Sequence, residues 1–416
     1  MRCKPARPRR AGLALTLAAL AATAFLATGC GHSAEVVIPA EPAERSGADL
    51  GLGPGVRPLS FGPGDKDSPR WSPSGDRLAF TLDGYVVDKA LDSRELRRRT
   101  TRDFGAHEVE WVSSGDGLAI LGADLSETPA PTSPALEEMS RAVYRTSSQT
   151  GSLSVEEIAT GVLAMSPLPN GNLLVALEIG ASASTLALVE DGDKISRVYS
   201  YSAEGRISDL SVSPDGGKAA MAIRRDPSGA FEIHTFDLSK GTARRIGSLA
   251  QGQEVFGAPQ WTERGIFFVA GKADTGGSQE ALPYDLYRLP PESGDPRPMP
   301  GVGEDFVASS LLASPDGERL AIVGRRNPNS PTDLYVLDLA TGVLEAATAN
   351  ENMEIKTGSE DLAWSADGDH IAIVARGILS GPRVYAIRAD ALLTDFYNIY
   401  EVSVGHTHPA GDGPSR

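Results

Sequence analysis

The sequence predicts an all-β protein that folds as a single β-propeller of seven four-stranded blades. Three observations support this prediction. A short hairpin motif occurs seven times in the 416 residues, its copies lie about 40 to 54 residues apart, and segments with alternating apolar residues follow most of them. Repeats of this length are typical of propellers, because each one forms a unit that buries its apolar faces against its neighbours.

The hairpin motif is most complete at residues 68–80, which read SPRWSPSGDRLAF. Two later copies have Ser-Pro-Asp-Gly at their centre, at residues 213–216 and 314–317. Proline fixes the first central φ of a type I turn, aspartate is tolerated at the second position and glycine can take a positive φ. The flanking apolar runs therefore fold back on each other as a hairpin. The other copies begin at residues 108, 163, 210, 259, 311 and 361.

Further extended segments are predicted to form the outer strands of each blade. Alternating apolar residues occur at residues 85–87, 143–146, 185–189, 232–238, 285–289, 333–339 and 382–387. A shorter run, such as residues 244–246, can form a fourth strand. Four short antiparallel strands in each repeat make a propeller blade.

The ring is predicted to close by pairing of an N-terminal strand with the last blade. Residues 56–61 are extended in pattern but precede the first hairpin, and so have no blade of their own. Pairing them with the last blade would remove an exposed sheet edge. Six blades are the alternative, which would require the weak third copy around Met165 to be an insertion.

The N-terminus predicts export and a lipid anchor. Five basic residues within the first ten positions precede an apolar stretch at residues 11–26 that is too short to span a membrane comfortably. Residues 26–30, LATGC, resemble the lipobox of bacterial lipoproteins, in which the cysteine becomes the new N-terminus and is lipidated. We therefore predict a signal peptide at residues 1–29, lipidation of Cys30 and a location on the outer side of the cytoplasmic membrane.

Composition predicts the remaining segments and excludes some partners. Residues 30–55 read as the lipidated cysteine followed by a flexible linker, residues 56–404 as the propeller and residues 405–416 as a disordered tail. Loss of residues 1–29 removes five Lys or Arg and no acid, so a formal charge of −16 becomes −21. Such a chain is repelled by nucleic acid and by anionic headgroups, so we expect membrane contact through the lipid anchor only.

The repeats resemble those of TolB-type propellers, which carry Asp-x-x-Pro-x-Trp-Ser-Pro-Asp-Gly-x-x-Ile-Ala-Phe. The likeness covers roughly residues 56–390 and is most specific in the first, sixth and seventh copies, whereas Trp261 in the fifth is followed by a turn without proline. TolB itself has a mixed α/β domain ahead of its propeller that has no counterpart in this sequence. The resemblance thus implies a propeller with a binding role in the cell envelope, but not membership of the same complex.

Acidic residues precede six of the seven predicted innermost strands, and antiparallel order places them near the mouth of the central channel. Converging carboxylates raise one another's pKa and attract cations, and Ca²⁺ would relieve their repulsion. We therefore predict a site for a cation or a cationic ligand, with calcium as the candidate cofactor; the alternative is that these acids cap turns. The candidate residues are Asp65, Asp67, Glu108, Asp209, Glu254, Asp305, Glu360 and Asp361.

Two other features are predicted to surround the channel. Several second turns are long, at residues 122–140, 224–229, 271–283 and 324–332, and they open on the same face as the candidate acids. Loops on a rigid scaffold often carry specificity, although drift in unconstrained turns is the alternative. The four tryptophans, Trp71, Trp111, Trp261 and Trp364, recur at one blade position and are predicted to pack between blades.

Catalytic motifs are absent from the sequence. No Gly-x-Ser-x-Gly elbow, phosphate loop or Cys-x-x-Cys pair occurs, and the histidines are scattered. We therefore predict a monomeric, non-enzymatic binding module for another envelope protein or a cell-wall ligand. The alternative is a metal-dependent propeller enzyme, a hydrolase or lyase, that acts on a peptide or polysaccharide.

Overall fold

The computed structural model describes residues 56–404 except 61–63, 94, 101–103, 113–116, 125–140, 148–153, 181–182, 191–193, 226–229, 273–283, 293, 300–301, 303–304, 351–352 and 378–397. The signal segment, Cys30, the linker and the tail lie outside these residues, so their assignments stay predictions. Most of three long second turns and the predicted strand at residues 382–387 also lie outside them.

The described residues form seven antiparallel sheets, which are the blades of one propeller ring. The first described strand is β1 (Val56–Pro58), which belongs to the last blade. Blade 1 contains β2 (Lys66–Trp71), β3 (Arg77–Leu82), β4 (Tyr85–Ala90) and β5 (Arg97–Arg98). Blade 2 contains β6 (Phe104–Trp111), β7 (Leu118–Asp124), β8 (Ala142–Ser147) and β9 (Ser154–Thr160).

Blades 3 to 5 follow in the same order. Blade 3 contains β10 (Val162–Pro167), β11 (Leu173–Glu178), β12 (Ala183–Glu190), β13 (Lys194–Val198) and the short β14 (Ala203–Glu204), which pairs with β12. Blade 4 contains β15 (Arg206–Val212), β16 (Lys218–Arg224), β17 (Phe231–Asp237) and β18 (Thr242–Ser248). Blade 5 contains β19 (Gln253–Thr262), β20 (Gly265–Lys272), β21 (Tyr284–Leu289) and β22 (Arg297–Pro298).

The last two blades complete the ring. Blade 6 contains β23 (Val307–Ala313), β24 (Arg319–Arg325), β25 (Asp333–Asp338) and β26 (Leu344–Ala346). Blade 7 contains β27 (Met353–Ile355), a 3-10 turn (Ser359–Asp361), β28 (Leu362–Trp364), β29 (His370–Gly377) and β30 (Asn398–Ser403). Both β27 and β28 pair with β29, so together they form the innermost strand of this blade.

The predicted closure of the ring is confirmed. Strand β1 pairs antiparallel with β30, with Val56 opposite Val402 and Arg57 opposite Glu401. The Arg57 guanidinium forms an ion pair with Glu401. The third copy of the motif forms β10 and β11 of a complete blade rather than an insertion, so seven blades are confirmed over six.

The first turn of each blade has the predicted chemistry where Ser-Pro-Asp-Gly is present. In blade 4 the Gly216 N–H donates to the Ser213 carbonyl at 2.8 Å, and Gly216 has a φ of +71°. The Ser213 hydroxyl donates to the Asp215 carboxylate at 2.6 Å, which fixes the turn from within. The same serine, aspartate and glycine arrangement holds the turns of blades 6 and 7.

The apolar core lies between the blades, and the tryptophans take part in it as predicted. The indole N–H of Trp71 donates to the Ala363 carbonyl of blade 7 at 3.2 Å. In the same way Trp364 donates to the Leu312 carbonyl of blade 6 at 3.1 Å, and Trp111 to the carbonyl of Arg70. Each of these contacts joins two neighbouring blades, so the rings fix blade spacing around the channel. None of the residues that the structure describes belongs to a helix long and apolar enough to cross a membrane.

Candidate functional site

Every innermost strand is distorted at the level of the channel. Strands β2, β6, β10, β15, β19 and β23 each carry a register shift against their partner, as between Ala106 and Glu108 in β6 or between Ile207 and Asp209 in β15. In blade 7 the 3-10 turn stands at the corresponding place. Bulges bend a strand and redirect its side chains, so this ring of distortions determines which residues face the channel.

One residue in each blade takes the same place beside the distortion. It lies four residues before the first residue of the first turn, and we name it the channel position. A backbone hydrogen bond that closes each turn, such as Ser72 N–H to the Arg77 carbonyl or Ser213 N–H to the Lys218 carbonyl, fixes this register. The seven channel positions are Ser68, Glu108, Ala164, Asp209, Ala258, Ser310 and Asp361.

The acidic channel positions meet in a cavity on the face of the second turns, which we name the mouth cavity. Its volume is about 390 Å³. Five of the eight acids predicted from the sequence line it: Asp67, Glu108, Asp209, Glu360 and Asp361. Arg141 and Lys356, which the sequence analysis did not single out, line the same cavity. The acids come from blades 1, 2, 4 and 7, so one side of the channel carries most of the negative charge.

The structure does not bring the other three predicted acids into this cavity. Asp65 is exposed, and its backbone N–H donates to the Asp83 carboxylate at 2.9 Å. Glu254 lies opposite Gly271, four residues ahead of its channel position, and Asp305 is exposed ahead of β23. All three are too far from their first turns to reach the ring of bulges.

Burial and mutual repulsion raise the pKa of three carboxyl groups in the mouth cavity. Burial is the largest cause in each case. It raises the pKa of Glu108 to about 7, opposed by the charges of Arg70 and Arg141 and helped by those of Glu110 and Glu360. It raises the pKa of Asp209 to about 8, helped by Glu108 and Glu360 and opposed by Arg141. Burial and Glu360 likewise raise the pKa of Asp361 to about 7, against the effect of Lys356.

The basic side chains near the mouth cavity make different contacts. Lys356 forms an ion pair with Asp67. Arg70 lies just beyond the channel position of blade 1, where its guanidinium donates to the Glu110 carboxylate and, at 2.8 Å, to the backbone carbonyl of Glu360. Burial opposes the charge of Arg70, but the carboxylates of Glu110 and Glu108 prevail and raise its pKa. Arg70 thus ties blades 1, 2 and 7 together.

Two of the acids have no comparable partner. In the part of the chain that the structure describes, neither the Glu108 nor the Asp209 carboxyl group accepts a hydrogen bond or forms an ion pair within 4 Å. Asp361, by contrast, accepts a hydrogen bond of 3.3 Å from the Ser68 backbone N–H. Carboxyl groups that face a cavity without a partner gain free energy when a cation binds there.

A metal ion fits these residues less well than an organic cation. Among the described residues no three His, Cys, Asp or Glu side chains are grouped closely enough to hold a metal ion. An ammonium or guanidinium group needs fewer oxygen ligands than Ca²⁺, which takes six to eight. The calcium site stays a prediction.

Comparison with known proteins adds the fold alone. No protein-family model and no curated protein sequence matches the chain. An oligogalacturonate lyase from Vibrio parahaemolyticus is similar in structure, at 12% identity and a TM-score of 0.56, over 89% of this chain and 99% of that one. The β-propeller domain of the Trilobed protease from Pyrococcus furiosus gives 12% identity and a TM-score of 0.52, over 82% and 96%.

The TolB resemblance gains no support beyond the propeller fold itself. A putative TolB from Agrobacterium tumefaciens matches 82% of this chain and 91% of its own at 15% identity, but its TM-score of 0.40 is too low to carry an argument. All of these identities are too low to transfer an activity. A closer relation to TolB therefore stays a prediction.

Proposed function

We propose that this chain is an exported, lipid-anchored binding module that holds a cationic group of another envelope protein or of a cell-wall ligand in the mouth cavity. The observation that carries the proposal is the pair of carboxyl groups, Glu108 and Asp209, at the channel positions of blades 2 and 4, which have no hydrogen-bond or ion-pair partner among the described residues. An acid side chain at two channel positions, with Glu360 beside them, gives a cation several oxygen atoms to contact.

Because these pKa values are raised, binding of a cation should be coupled to release of protons. At pH 7 the Glu108 and Asp209 carboxyl groups hold protons for a large part of the time, since their pKa values are about 7 and about 8. A bound ammonium group favours the ionised form of both and lowers these pKa values. Binding should therefore release protons to the buffer and strengthen as the pH rises from 6 to 8.

The predicted lipid anchor would locate the binding module at the membrane. Diacylation at Cys30 would hold the chain on the outer leaflet of the cytoplasmic membrane, since stable anchoring takes two or more acyl chains. The linker that composition predicts at residues 31–55 would span on the order of 25 to 30 Å as a random coil. The propeller would then reach ligands within that distance of the membrane.

Calorimetric titration with Nα-acetyl-lysine amide, which keeps its side-chain ammonium group, tests the proposal. We expect binding at pH 7.5 with a heat that depends on the ionisation enthalpy of the buffer. Asp209→Asn should weaken it by about tenfold, as the loss of one charge-assisted contact predicts. Asp305→Asn is the matched control, because Asp305 is an exposed acid outside the cavity. Absence of binding, or equal weakening by both variants, would contradict the proposal.

A second candidate function, a propeller hydrolase or lyase, is favoured by one observation. Arg141 acts on the pKa values of both Glu108 and Asp209. A carboxyl group that exchanges its proton near pH 7 beside a guanidinium group is suited to general acid–base catalysis. Digestion of peptides and polysaccharides, with and without added divalent metal, separates the two functions. An enzyme would lose turnover in Glu108→Gln, whereas a binding module shows no turnover to lose.

A further inference from the structure

A second cavity occupies the channel on the face of the first turns, and we name it the collar cavity. Its volume is about 520 Å³. Three of the four tryptophans of the chain line it, Trp71, Trp261 and Trp364, together with the turn prolines Pro169, Pro214 and Pro315. Aromatic and apolar side chains thus form much of its wall, and five charged side chains line it as well: Arg70, Glu108, Glu110, Asp209 and Glu360.

The two cavities share a wall. Glu108, Asp209 and Glu360 line the collar cavity as well as the mouth cavity. We name these three side chains the carboxyl ring. A ligand that fills the collar cavity with its apolar part can therefore place a positive group at the carboxyl ring without leaving the channel.

The collar cavity is held rigidly by contacts between blades. The Trp71 and Trp364 indoles are fixed by hydrogen bonds to carbonyls of the preceding blades. The turns also touch: a Cβ added to Gly216 of blade 4 would lie 3.1 Å from Pro169 of blade 3. Blade 5 has a shorter turn, which brings Pro214 of blade 4 within 3.5 Å of the Cβ position of Gly317 in blade 6. A preformed cavity binds with less loss of conformational entropy.

We propose that the collar cavity and the carboxyl ring together bind an amphipathic organic cation, an ammonium or guanidinium group on an apolar body. The inference rests on the proposed function for its cationic end and adds the apolar body. The positive group lies at Glu108 and Asp209, and the apolar body packs against Trp261, the half-buried tryptophan of the three. Burial of the apolar body and the charge of the carboxyl groups both favour this orientation.

Three probes separate the two ends of the ligand: phenethylamine, ethylamine and 2-phenylethanol. We expect phenethylamine to bind about tenfold more tightly than ethylamine, because a phenyl ring leaves water. It should bind more tightly than 2-phenylethanol as well, because the alcohol lacks the charge. Binding should change the tryptophan fluorescence, since three of four tryptophans line the cavity.

Variants assign the site within the channel. Trp261→Leu should reduce the preference for phenethylamine over ethylamine to about threefold or less, because it removes aromatic contact area. Ala258→Leu should have the same effect, because the larger side chain fills part of the cavity at the channel position of blade 5. This variant tests the site while keeping all of its tryptophans. Trp111→Phe is the control, since Trp111 is buried between blades and is not among the residues that line the cavity. It should leave the preference unchanged.

The outcomes distinguish this inference from the function on which it rests. Equal affinity for both amines, without a fluorescence change, would overturn the collar cavity as a binding site while leaving the cation site intact. Equal affinity for phenethylamine and 2-phenylethanol would overturn the link to the carboxyl ring. Absence of binding by all three probes would overturn both proposals.

Discussion

The pKa of Asp209 depends on charged residues from several blades of the ring. Its half-buried carboxyl group lines the mouth cavity, where the charges of Glu108 and Glu360 raise its pKa and that of Arg141 opposes them. Its pKa of about 8 stands far above the ordinary value of 3.8. In the unfolded chain no such neighbours exist, so folding raises the proton affinity of this group.

This pKa predicts how stability depends on pH. A carboxyl group whose pKa is raised in the folded state stabilises the fold while it is protonated, and that contribution is lost as the pH rises through the folded pKa. This contribution to stability should therefore fall between about pH 4, near the ordinary pKa of 3.8, and about pH 8. Asp209→Asn should raise Tm at pH 8 by roughly 2 to 5 °C and flatten this decline, as measured by differential scanning calorimetry. Asp305→Asn should follow the parent profile; an unchanged profile in Asp209→Asn would contradict the prediction.

Arg70 is the second residue whose role can be measured. Its guanidinium group contacts Glu110 of blade 2 and the Glu360 carbonyl of blade 7 from a largely buried place in blade 1. Arg70→Met leaves the Glu110 carboxylate without its partner and should lower the free energy of unfolding by about 3 kcal/mol in urea titration.

The matched control for Arg70 is Arg376→Met. Arg376 forms an ion pair with Glu354 at 2.8 Å, but both side chains are more than 40% exposed. The expected change there is below about 0.5 kcal/mol, because exposed ion pairs contribute little. Equal losses in the two variants would mean that Arg70 does not join the blades.

At the scale of elements, the sequence predicted those features that depend on local chemistry. The first turns follow from proline, aspartate and glycine at neighbouring positions, and residues 213–216 fold as expected. The pairing of β1 with β30 followed from the need to protect a sheet edge. Seven blades were predicted by counting every copy of the hairpin motif, including the weak third copy.

The sequence could not predict the ring of bulges. Nothing in the residue types around His107 or Ser208 marks a bulge, because a bulge at the channel depends on how seven strands meet. The acids were therefore predicted from their nearness to a strand alone. Counting four residues back from each turn would have separated Glu108, Asp209 and Asp361 from Glu254 and Asp305. The collar cavity was missed because the tryptophans were predicted to pack between blades rather than to line a binding surface.

The closing strand offers a prediction at this scale. Val56 is 4% exposed and packs in the core of the last blade with Tyr400 and Val402. Val56→Asp would bury an unpaired charge and release β1, so the free energy of unfolding should fall by about 3 kcal/mol in urea titration. The freed edge of β30 should also increase self-association, as measured by light scattering.

Val343→Asp is the control for the closing strand. Val343 is an apolar residue that is 49% exposed, so the same substitution there should change the free energy of unfolding by less than about 0.5 kcal/mol. Full stability of Val56→Asp would mean that β1 does not hold the ring closed.

At the scale of the whole molecule, the proposed anchor and the acidic propeller act together. The proposed anchor would keep the chain at the membrane although its negative charge is repelled by anionic headgroups. Cys30→Ser should therefore move the protein from the membrane fraction to the soluble exported fraction and abolish incorporation of a labelled fatty acid. Cys3→Ser is the matched control, because Cys3 lies in the predicted signal segment, and should leave both unchanged. Retention of Cys30→Ser in the membrane would rule out the anchor.

The most direct test of the central claim follows the carboxyl groups of the channel themselves. Carbon-13 NMR of labelled Asp and Glu side chains, recorded from pH 4 to pH 9, should show Asp209 titrating near 8 and Glu108 near 7, as burial among like charges requires. Saturating Nα-acetyl-lysine amide should lower both values by at least about one unit. Carboxyl groups that titrate near 4 in the free protein, or that do not shift with the amine, would contradict a cation site in this channel.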